Sequence, residues 1–297
     1  MSFSSDVKNE ITKHMASARH CQLAEMASYV IWLATLNNEG ELVFEGDELQ
    51  ISHIDVLAKK LYTFSGKERL SENGRHILLY DKDASKEILM SVKRENENEG
   101  LISHMLIKNS CCKKAYLQGM FICIGSVTDP EKEYHLEMVS YDEKVLLQLK
   151  EILESFDILA RITIRKKAYV LYIKEGQSIV DLLNIMGAHV CLMNMENSII
   201  MKDFRNNLNR KVNCETANIL KTANTGSRQK ADIEYIRDNY GIEKLPVQLR
   251  EIALLRLEYP DISLKELGEM MTPPLGKSGV NHRLRKISEI RKKCEEI

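Results

Sequence analysis

An internal repeat restricts the fold of this chain more than any other feature. The stretch "AEMASYVIWLATL", residues 24–36, returns 91 positions later as "AYLQGMFICIGSV", residues 115–127, and both copies are typical of long apolar helices. Small residues recur on one helical face: Ala24, Ser28 and Thr35 in the first copy, and Ala115, Gly119, Cys123 and Ser126 in the second. Two helices with small residues on facing sides can approach closely at the centre of a domain. The repeat therefore predicts a central helix pair, with one helix from each half.

The residues after each of these helices also correspond. The first helix is followed by an alternating stretch, "ELVFEGDELQIS", a helix near residues 53–64 and a strand in "GRHILLYDKD". The second is followed by "EYHLEMVS", a helix near residues 142–156, a hairpin that turns at Lys166 and Lys167, and a closing helix, "QSIVDLLNIMGA". This order predicts two α-β-α-β-β-α halves. We expect them to form one pseudo-symmetric α+β domain over residues 1–195.

The remaining third of the chain has the pattern of helices alone. Residues 196–242 predict a helical linker of two helices, the first with an apolar stripe: Phe204, Leu208, Val212 and Ile219. Residues 243–297 predict a three-helix domain. Its middle helix, "SLKELGEMM", starts with a capping box formed by Ser263 and Glu266. Its last helix, "SGVNHRLRKISEI", has Ser278 as the expected N-cap.

The last helix combines an apolar side with a basic side. Val280, Leu284 and Ile287 recur at i, i+4 and i+7, which predicts that this stripe packs on the two preceding helices. The other side carries groups suited to a major groove, since Arg can read guanine, Asn can read adenine and Lys neutralises phosphate. We therefore predict a recognition helix for double-stranded DNA. Its expected contacts are Lys277, Ser278, Asn281, His282, Arg283, Arg285, Lys286, Lys292 and Lys293.

The distribution of charge supports a polyanionic partner. Residues 201–297 hold 19 Lys and Arg against 14 Asp and Glu, whereas the whole chain has a net charge of −1. The basic third therefore follows an acidic body. A solvated charged helix on a generic bundle would give the same composition. The connection "TPPLGK" is also longer than the three or four residues that usually join the two helices of a helix-turn-helix.

The cysteines predict neither a disulfide framework nor a metal site. Seven cysteines are scattered along the chain, with no CxxC and no histidine at ligand spacing, so reduced thiols in the cytosol are expected. The adjacent Cys111 and Cys112 leave a redox or metal pair as the alternative. No apolar run approaches the ~18 residues that span a bilayer, and the N-terminus lacks a signal sequence. We expect no membrane association, no cofactor and no small-molecule substrate.

The repeat resembles a known family at "MASYVIWLAT" and "LQGMFICIGS". Paired central helices with a seam of small residues, each followed by a curved antiparallel sheet, resemble the LAGLIDADG homing endonuclease fold. That family places a metal-binding acid at the foot of each helix, and the matching positions here are Leu33 and Ile124. Neither side chain can hold Mg²⁺, which requires oxygen ligands. The resemblance implies a nuclease-like domain with no catalytic residues.

The order of the parts resembles the WhiA family of Gram-positive bacteria. A degenerate LAGLIDADG-like domain is followed by "NRKVNCETAN" and then by "LKELGEMM" and "KSGVNHRLRKI", so the resemblance spans the whole chain. It implies a non-enzymatic DNA-binding regulator linked to cell division, chromosome segregation and, in spore formers, sporulation. It also implies a cytoplasmic, nucleoid-associated protein.

Two other classes of function fit parts of the sequence. An active endonuclease would need carboxylates that have moved from the helix feet, and the nearest are Glu45, Asp47 and Asp129. A protein-interaction scaffold, with weak affinity for DNA, would bind a protein partner through the acidic N-terminal domain. Residues alone leave all three classes open.

A secondary contact with DNA is expected outside the last helix. The hairpin of the second repeat carries Arg161 and Arg165 on one face and Lys166 and Lys167 at its turn, and the linker carries Arg205, Arg210 and Lys211. The corresponding part of the first repeat is acidic: Glu41, Glu45, Asp47, Asp81 and Asp83. One half of the sheet surface should therefore attract phosphate and the other repel it, so we expect weak binding there.

Overall fold

The computed structural model describes residues 2–71, 73–93 and 101–295. The chain divides into two units, Met1–Lys202 and Asp203–Ile297. Within the described residues, no helix is both long and apolar enough to cross a membrane.

The first unit contains the repeat. After α1 (Phe3–Lys13), the first half runs α2 (Arg19–Leu33), β1 (Ala34–Leu36), β2 (Leu42–Gly46), α3 (Glu48–Tyr62), β3 (Lys67–Leu70), β4 (His76–Tyr80) and α4 (Lys82–Ser91). The second half runs α5 (Ser110–Ile124), β5 (Gly125–Val127), β6 (Leu136–Ser140), α6 (Glu143–Glu154), β7 (Arg161–Arg165), β8 (Ala168–Ile173) and α7 (Gly176–Met186). Each half forms an antiparallel four-stranded sheet, ordered β1-β2-β4-β3 and β5-β6-β8-β7. The predicted pseudo-symmetry is therefore confirmed.

Each half contains one strand, β1 or β5, that the predicted α-β-α-β-β-α order lacks, and in the first half the sequence also failed to locate β3, the first strand of the β-β pair. The central helices end at Leu33 and Ile124, and the three residues after each form β1 and β5 rather than further helix. They pair with β2 and β6. Strand β3, "KERL", was missed because all four of its residues are exposed and charged or flanked by charge, so no alternation marks it.

The predicted first strand was too long, because "ELVFEGDELQIS" contains a helix start. Strand β2 ends at Gly46, and Asp47 is the N-cap of α3, where it accepts a hydrogen bond from the backbone N–H of Gln50. The Gln50 side chain accepts one in return from the N–H of Asp47, which completes a capping box. Asp81 likewise caps α4 by accepting from the N–H of Ala84.

Small residues allow α2 and α5 to pack closely along their length. A Cβ atom on Gly119 would lie 1.8 Å from the Ser28 hydroxyl oxygen and 3.2 Å from the carbonyl oxygen of Glu25. Only a glycine fits at that approach. Ala24 and Ala115 are both buried at the same seam, so the predicted small-residue interface is confirmed.

A buried carboxylate lies beside this seam. Glu25 is 2% exposed, and its Oε1 is 2.6 Å from His53 Nε2 and accepts a hydrogen bond from the Tyr29 hydroxyl at 3.3 Å. A carboxylate removed from water is strongly destabilising unless it is paired in this way. Burial and the neighbouring Glu25 raise the pKa of Tyr29, so its hydroxyl stays a donor.

The two helices predicted for the linker are one. Helix α8 runs without a break over His189–Asn239, because the segment between the two predicted helices contains no proline, and its one glycine, Gly226, costs only about 1 kcal/mol. Its first turn is capped by Glu10, whose carboxylate accepts the N–H groups of Val190 at 2.6 Å and Cys191 at 2.9 Å. The expected apolar stripe of the linker is exposed, with Phe204 at 63% and Val212 at 50%.

The second unit is helical. Its elements after α8 are a 3₁₀ turn (Ile242–Lys244), α9 (Val247–Glu258), α10 (Leu264–Glu269) and α11 (Lys277–Glu295). Ile233 and Ile236 of α8 pack in the same core as Ile252, Leu267 and Leu284. The capping box of Ser263 and Glu266 is confirmed at α10.

Ser278 is not the N-cap of the last helix. Helix α11 begins at Lys277, and the N–H of Val280 donates to the carbonyl of Gly276, so the helix starts two residues earlier than predicted. Ser278 instead lies exposed in the first turn. It thus remains available at the surface of α11.

An arginine is the largest fully buried side chain of the chain's described part. Arg256 is 2% exposed, and its Nη1 donates to the carbonyl oxygens of Tyr259, Pro260 and Ile262 at 3.3, 3.2 and 2.8 Å. Burial lowers its pKa. These bonds fix the α9–α10 connection and satisfy carbonyls of residues that follow the end of α9.

Candidate nucleic-acid interface

Helix α11 is held to its unit by the apolar stripe that the sequence predicted. Val280, Leu284 and Ile287 are 0%, 2% and 1% exposed, which confirms the stripe. The connection from α10 returns to Gly268, whose carbonyl accepts the N–H of Leu275 at 2.9 Å. A Cβ on Gly268 would lie 2.0 Å from the carbonyl oxygen of Leu275. The long connection is therefore folded tightly against α10, and it places α10 and α11 side by side.

The opposite side of α11 is a continuous polar surface, which carries one acid, Glu289, among its bases. At ~100° per residue, the side chains that form this surface lie within about half of the helix circumference. All are exposed, and within the described ranges none of their side chains makes a hydrogen bond or ion pair. We call this set the α11 outer face: Lys277, Ser278, Asn281, His282, Arg285, Lys286, Lys292 and Lys293.

Two other bases of α11 have internal partners. Arg283 is half-buried, and its Nη1 donates to the carbonyl oxygen of Gln248 at 3.2 Å. Arg291 stacks over the Tyr235 ring at 5.2 Å, and its guanidinium lies 3.8 Å from Asp232 and 3.1 Å from Glu295. The predicted contact of Arg283 with DNA therefore competes with a packing contact to α9.

The bases predicted on the linker do not share a face. Arg205, Arg210 and Lys211 are exposed on α8, but helical geometry separates Arg210 and Lys211 from Arg205 by about 140° and 240°. A straight DNA duplex can contact only one side of α8 at a time. At most one or two of these bases can contact the same phosphate strand.

The hairpin of the second repeat forms as predicted, with positive φ at Lys166 (49°) and Lys167 (70°). Arg161 and Arg165 are exposed on β7, opposite Tyr172 and Ala168 of β8. Arg165 is not a free charge, because its Nη2 lies 3.0 Å from both carboxylate oxygens of Glu137. The pairing leaves Arg161 and the two turn lysines as the uncompensated bases of this hairpin.

The first sheet is less acidic than the sequence predicted. The missed strand β3 adds Lys67 and Arg69, which pair with Leu79 and Ile77 on the outward side of β4. The Glu45 carboxylate oxygen Oε1 lies 3.5 Å from Arg75 Nε. Because Asp47 and Asp81 cap helices, they do not belong to a strand face. The bases of β3 and Arg75 therefore offset part of the acidic charge of this half, and weak binding of DNA there stays a prediction.

The helix feet carry no acids. Leu33 and Ile124 are half-buried at the ends of α2 and α5. Of the nearest carboxylates, Asp129 accepts the N–H of Glu131 at 2.9 Å in an exposed loop. Within the described residues, the only group of three or more metal-ligating side chains lies elsewhere, and it contains no carboxylate.

That group brings a histidine to the cysteines, contrary to the prediction. His20 Nδ1 is 3.2 Å from Cys112 Sγ and 3.3 Å from Cys21 Sγ, and Cys111 completes the cluster. The sequence did not reveal it because the two pairs, residues 20–21 and 111–112, belong to different repeats. Burial raises the pKa of the Cys21 thiol to about 12, with a further contribution from Cys111.

Comparison with known proteins assigns a family to both units. A model described as the WhiA LAGLIDADG-like domain matches residues 113–205, and one described as the WhiA C-terminal HTH domain matches residues 208–291. The chain is 42% identical over 315 residues to the probable cell division protein WhiA of Thermoanaerobacter pseudethanolicus, over 100% of this chain and 99% of the relative. It is 44% identical over 310 residues to that of Lachnoclostridium phytofermentans, over 98% of each.

A solved structure agrees with these matches. The crystal structure of full-length DUF199/WhiA from Thermotoga maritima is similar with a TM-score of 0.62 at 26% identity, and the similarity covers 99% of each chain. The predicted fold class is therefore confirmed: a LAGLIDADG-like domain with two antiparallel sheets is followed by a helical helix-turn-helix domain.

Proposed function

The chain belongs to the WhiA family, and from that premise we propose that it binds double-stranded DNA through the α11 outer face and regulates transcription. The observation that carries this proposal is a set of exposed bases and amides, without internal partners in the described structure, on a helix anchored by its opposite side. Free bases can neutralise phosphates, and Asn281 and Arg285 offer the hydrogen-bonding groups that read adenine and guanine.

We infer that the protein is not an enzyme. Nuclease chemistry of the LAGLIDADG type needs acids at the helix feet, and Leu33 and Ile124 stand there. Metal-assisted cleavage needs oxygen ligands that place the ion and its water. Supercoiled plasmid incubated with the protein and Mg²⁺ or Mn²⁺ should remain intact; nicking that is lost on mutation of Asp47 or Asp129 would contradict this.

The biological role that we propose follows the relatives. They are named as probable cell division proteins, and we infer that the DNA sites bound by α11 control division. The family resemblance extends this to chromosome segregation and sporulation, and a DNA-bound protein would be found with the nucleoid in the cytoplasm. Fluorescence imaging of the tagged protein beside a DNA stain tests the location.

The experiment that tests DNA binding compares two arginines of the same helix. Arg285 lies on the α11 outer face, whereas Arg291 is paired with Asp232 and stacked on Tyr235. Duplex fragments that the full chain retains from genomic DNA are titrated at several salt concentrations. Arg285→Ala should weaken binding about tenfold or more, while Arg291→Ala should chiefly lower the melting temperature. Equal DNA affinities for wild type and Arg285→Ala would contradict the proposal.

A scaffold role is the second candidate, favoured by the exposed apolar residues of α8, including Phe204 and Ile219. Exposed apolar side chains in a row are typical of surfaces that bind another protein. If the protein is mainly a scaffold, the titration should give only weak, sequence-independent binding, with dissociation constants of ~10⁻⁴–10⁻⁶ M.

A further inference from the structure

Four side chains meet where the first turns of α2 and α5 come together. They are His20, Cys21, Cys111 and Cys112, and one ligand atom from each lies within 4.8 Å of every other. His20 Nδ1 is 3.2 Å from Cys112 Sγ and 3.3 Å from Cys21 Sγ. In tetrahedral zinc sites, Zn–S bonds of about 2.3 Å and Zn–N bonds of about 2.1 Å separate neighbouring ligand atoms by roughly 3.5–3.8 Å. The two distances from His20 are a few tenths of an ångström shorter than these, and no pair of ligand atoms is more than about 1.3 Å longer, so small side-chain rotations would admit the ion.

The cluster follows the pseudo-two-fold symmetry of the domain. The repeat spacing that matches Ala24 with Ala115 also matches His20 with Cys111 and Cys21 with Cys112. Burial follows the same rule, since Cys21 and Cys112 are 5% and 2% exposed while the other two are exposed. Two ligands thus come from inside the seam and two from the solvent side. This arrangement provides both a fixed base for an ion and a path for its entry.

We propose that these four residues form a zinc site that ties the two halves of the N-terminal domain together. Three thiolates and one imidazole are a ligand set of structural zinc sites, and soft sulfur ligands select zinc over Mg²⁺ or Ca²⁺. All four positions are filled by protein, so no coordination site is left for water or substrate. Binding exchanges three S–H protons for three Zn–S bonds and involves no redox change.

The site is distinct from the metal positions of the nuclease-like fold. Those positions lie at the feet of the central helices, beside Leu33 and Ile124, whereas the cluster lies at their N-terminal ends. Each helix has 15 residues, so the two ends are about 22 Å apart. A zinc ion here would stabilise the α2–α5 pair and could not reach a scissile phosphate at the feet.

The decisive variants are those at the exposed ligands. Cys111→Ala and His20→Ala remove surface side chains, so both proteins should fold, whereas Cys21→Ala and Cys112→Ala alter the buried seam. Cys191→Ala and Cys214→Ala serve as controls, because Cys191 is a buried thiol and Cys214 an exposed one, both outside the cluster. Each full-length protein is purified without chelators and its zinc content per chain is measured by mass spectrometry.

We expect one zinc per chain in the wild type and in both controls, with loss of most of it in Cys111→Ala and His20→Ala. The metal-free wild type should bind Co²⁺ with a thiolate-to-metal charge-transfer band and the strong visible bands of tetrahedral cobalt, and Cys111→Ala should lose that spectrum. Chelation should lower the melting temperature of the wild type by roughly 5–15 °C and leave Cys111→Ala nearly unchanged.

Three results would overturn the proposal. The first is a wild-type protein that contains no zinc and, with its thiols reduced, gives no cobalt spectrum. The second is zinc content that stays at one per chain in both exposed-ligand variants. The third is a disulfide among Cys21, Cys111 and Cys112 in the freshly isolated protein. None of these measurements involves DNA, so the site stands or falls separately from the proposed function.

Discussion

Charged side chains are arranged differently in the two units of this protein. In the first unit three of the charged side chains described above have internal partners: Glu25 bonds to His53, Glu10 caps α8 and Arg165 pairs with Glu137. On the outer face of α11 in the second unit, the bases are exposed and unpaired within the described chain. The comparison teaches that exposure alone does not make a base available to phosphate. A base that already has a carboxylate partner must lose it before it can bind DNA, whereas a free base needs only to release its counterions.

The largest effect is expected at the buried carboxylate of the first unit. His53→Ala removes the main partner of Glu25 and leaves a buried carboxylate under-bonded, which should destabilise the protein by about 3–5 kcal/mol. Urea unfolding measures the loss. The double variant Glu25→Leu/His53→Leu should be less destabilised than His53→Ala, because no buried charge remains. Equal stability of His53→Ala and the wild type would show that this pair contributes nothing.

The next largest effect should show which of two basic surfaces binds DNA: the α11 outer face or the hairpin formed by β7 and β8. Lys277→Ala/Arg285→Ala/Lys286→Ala in the full chain should weaken DNA binding about 100-fold, without loss of stability, and reduce the salt slope by about two units, one for each lysine that contacts phosphate. The matched variant on the first unit, Arg161→Ala/Lys166→Ala/Lys167→Ala, removes the same charge from a surface expected to bind weakly. It should change affinity less than about threefold. Similar losses in the two triple variants would show that the sheet surface still binds DNA.

Within α11, base reading and phosphate binding should differ. Arg285→Ala should cost about 1–3 kcal/mol on a specific site and little on random DNA. Lys292→Ala or Lys293→Ala should weaken all sequences alike and flatten the salt slope by about one unit where a phosphate contact is lost. Competition titrations with specific and random duplexes measure both. If Arg285→Ala also weakens all sequences equally, that arginine contacts phosphate only.

Acid should reveal the carboxylate that caps α8. Burial raises the pKa of Glu10, but bonds from the N–H groups of Val190 and Cys191 outweigh this and leave the pKa below its ordinary value. The stabilisation is therefore present above the unfolded pKa of about 4.3 and is lost as the pH falls through the lower folded value. Glu10→Gln should lose about 1–2 kcal/mol at neutral pH. The stability difference between the wild type and the variant should therefore begin to shrink as the pH falls below the unfolded pKa of about 4.3, and a constant difference down to pH 2 would contradict this.

The smallest expected effect tests most directly whether a carboxylate partner keeps an exposed base from binding DNA. Glu137→Gln removes the negative charge that lies 3.0 Å from Arg165 and 3.1 Å from His135, and it frees the arginine without adding a base. Exposed ion pairs are worth less than about 1 kcal/mol, so stability should hardly change, while DNA affinity should rise by about two- to threefold at low salt. The matched control is Glu133→Gln, which removes an exposed acid of the same domain. Equal gains in the two variants would mean that only net charge matters.

Much of the fold followed from local patterns in the sequence. The repeat predicted the central helix pair because small residues at helical spacing permit close approach, and the i, i+4, i+7 stripe predicted which side of α11 is buried. Strands were predicted less well where the alternation of apolar and polar residues was too short or absent. Three residues after each central helix cannot show alternation, and β3 has no apolar face, so β1, β3 and β5 were missed. The break predicted within α8 failed because its polar composition resembles that of a loop.

Sequence by itself determined the periodic features: the two halves, the helical C-terminal unit, the anchored side of α11 and the missing acids at Leu33 and Ile124. These depend on neighbours within one or two turns of the chain. Only the tertiary structure decided which charged and sulfur groups have partners. Arg283 meets a carbonyl 35 residues away, Arg165 meets Glu137 28 residues away, and His20 meets Cys112 92 residues away. Hydrogen bonds and metal ligation depend on distances of about 2–3 Å between atoms, and no pattern along the chain specifies such distances across separate elements.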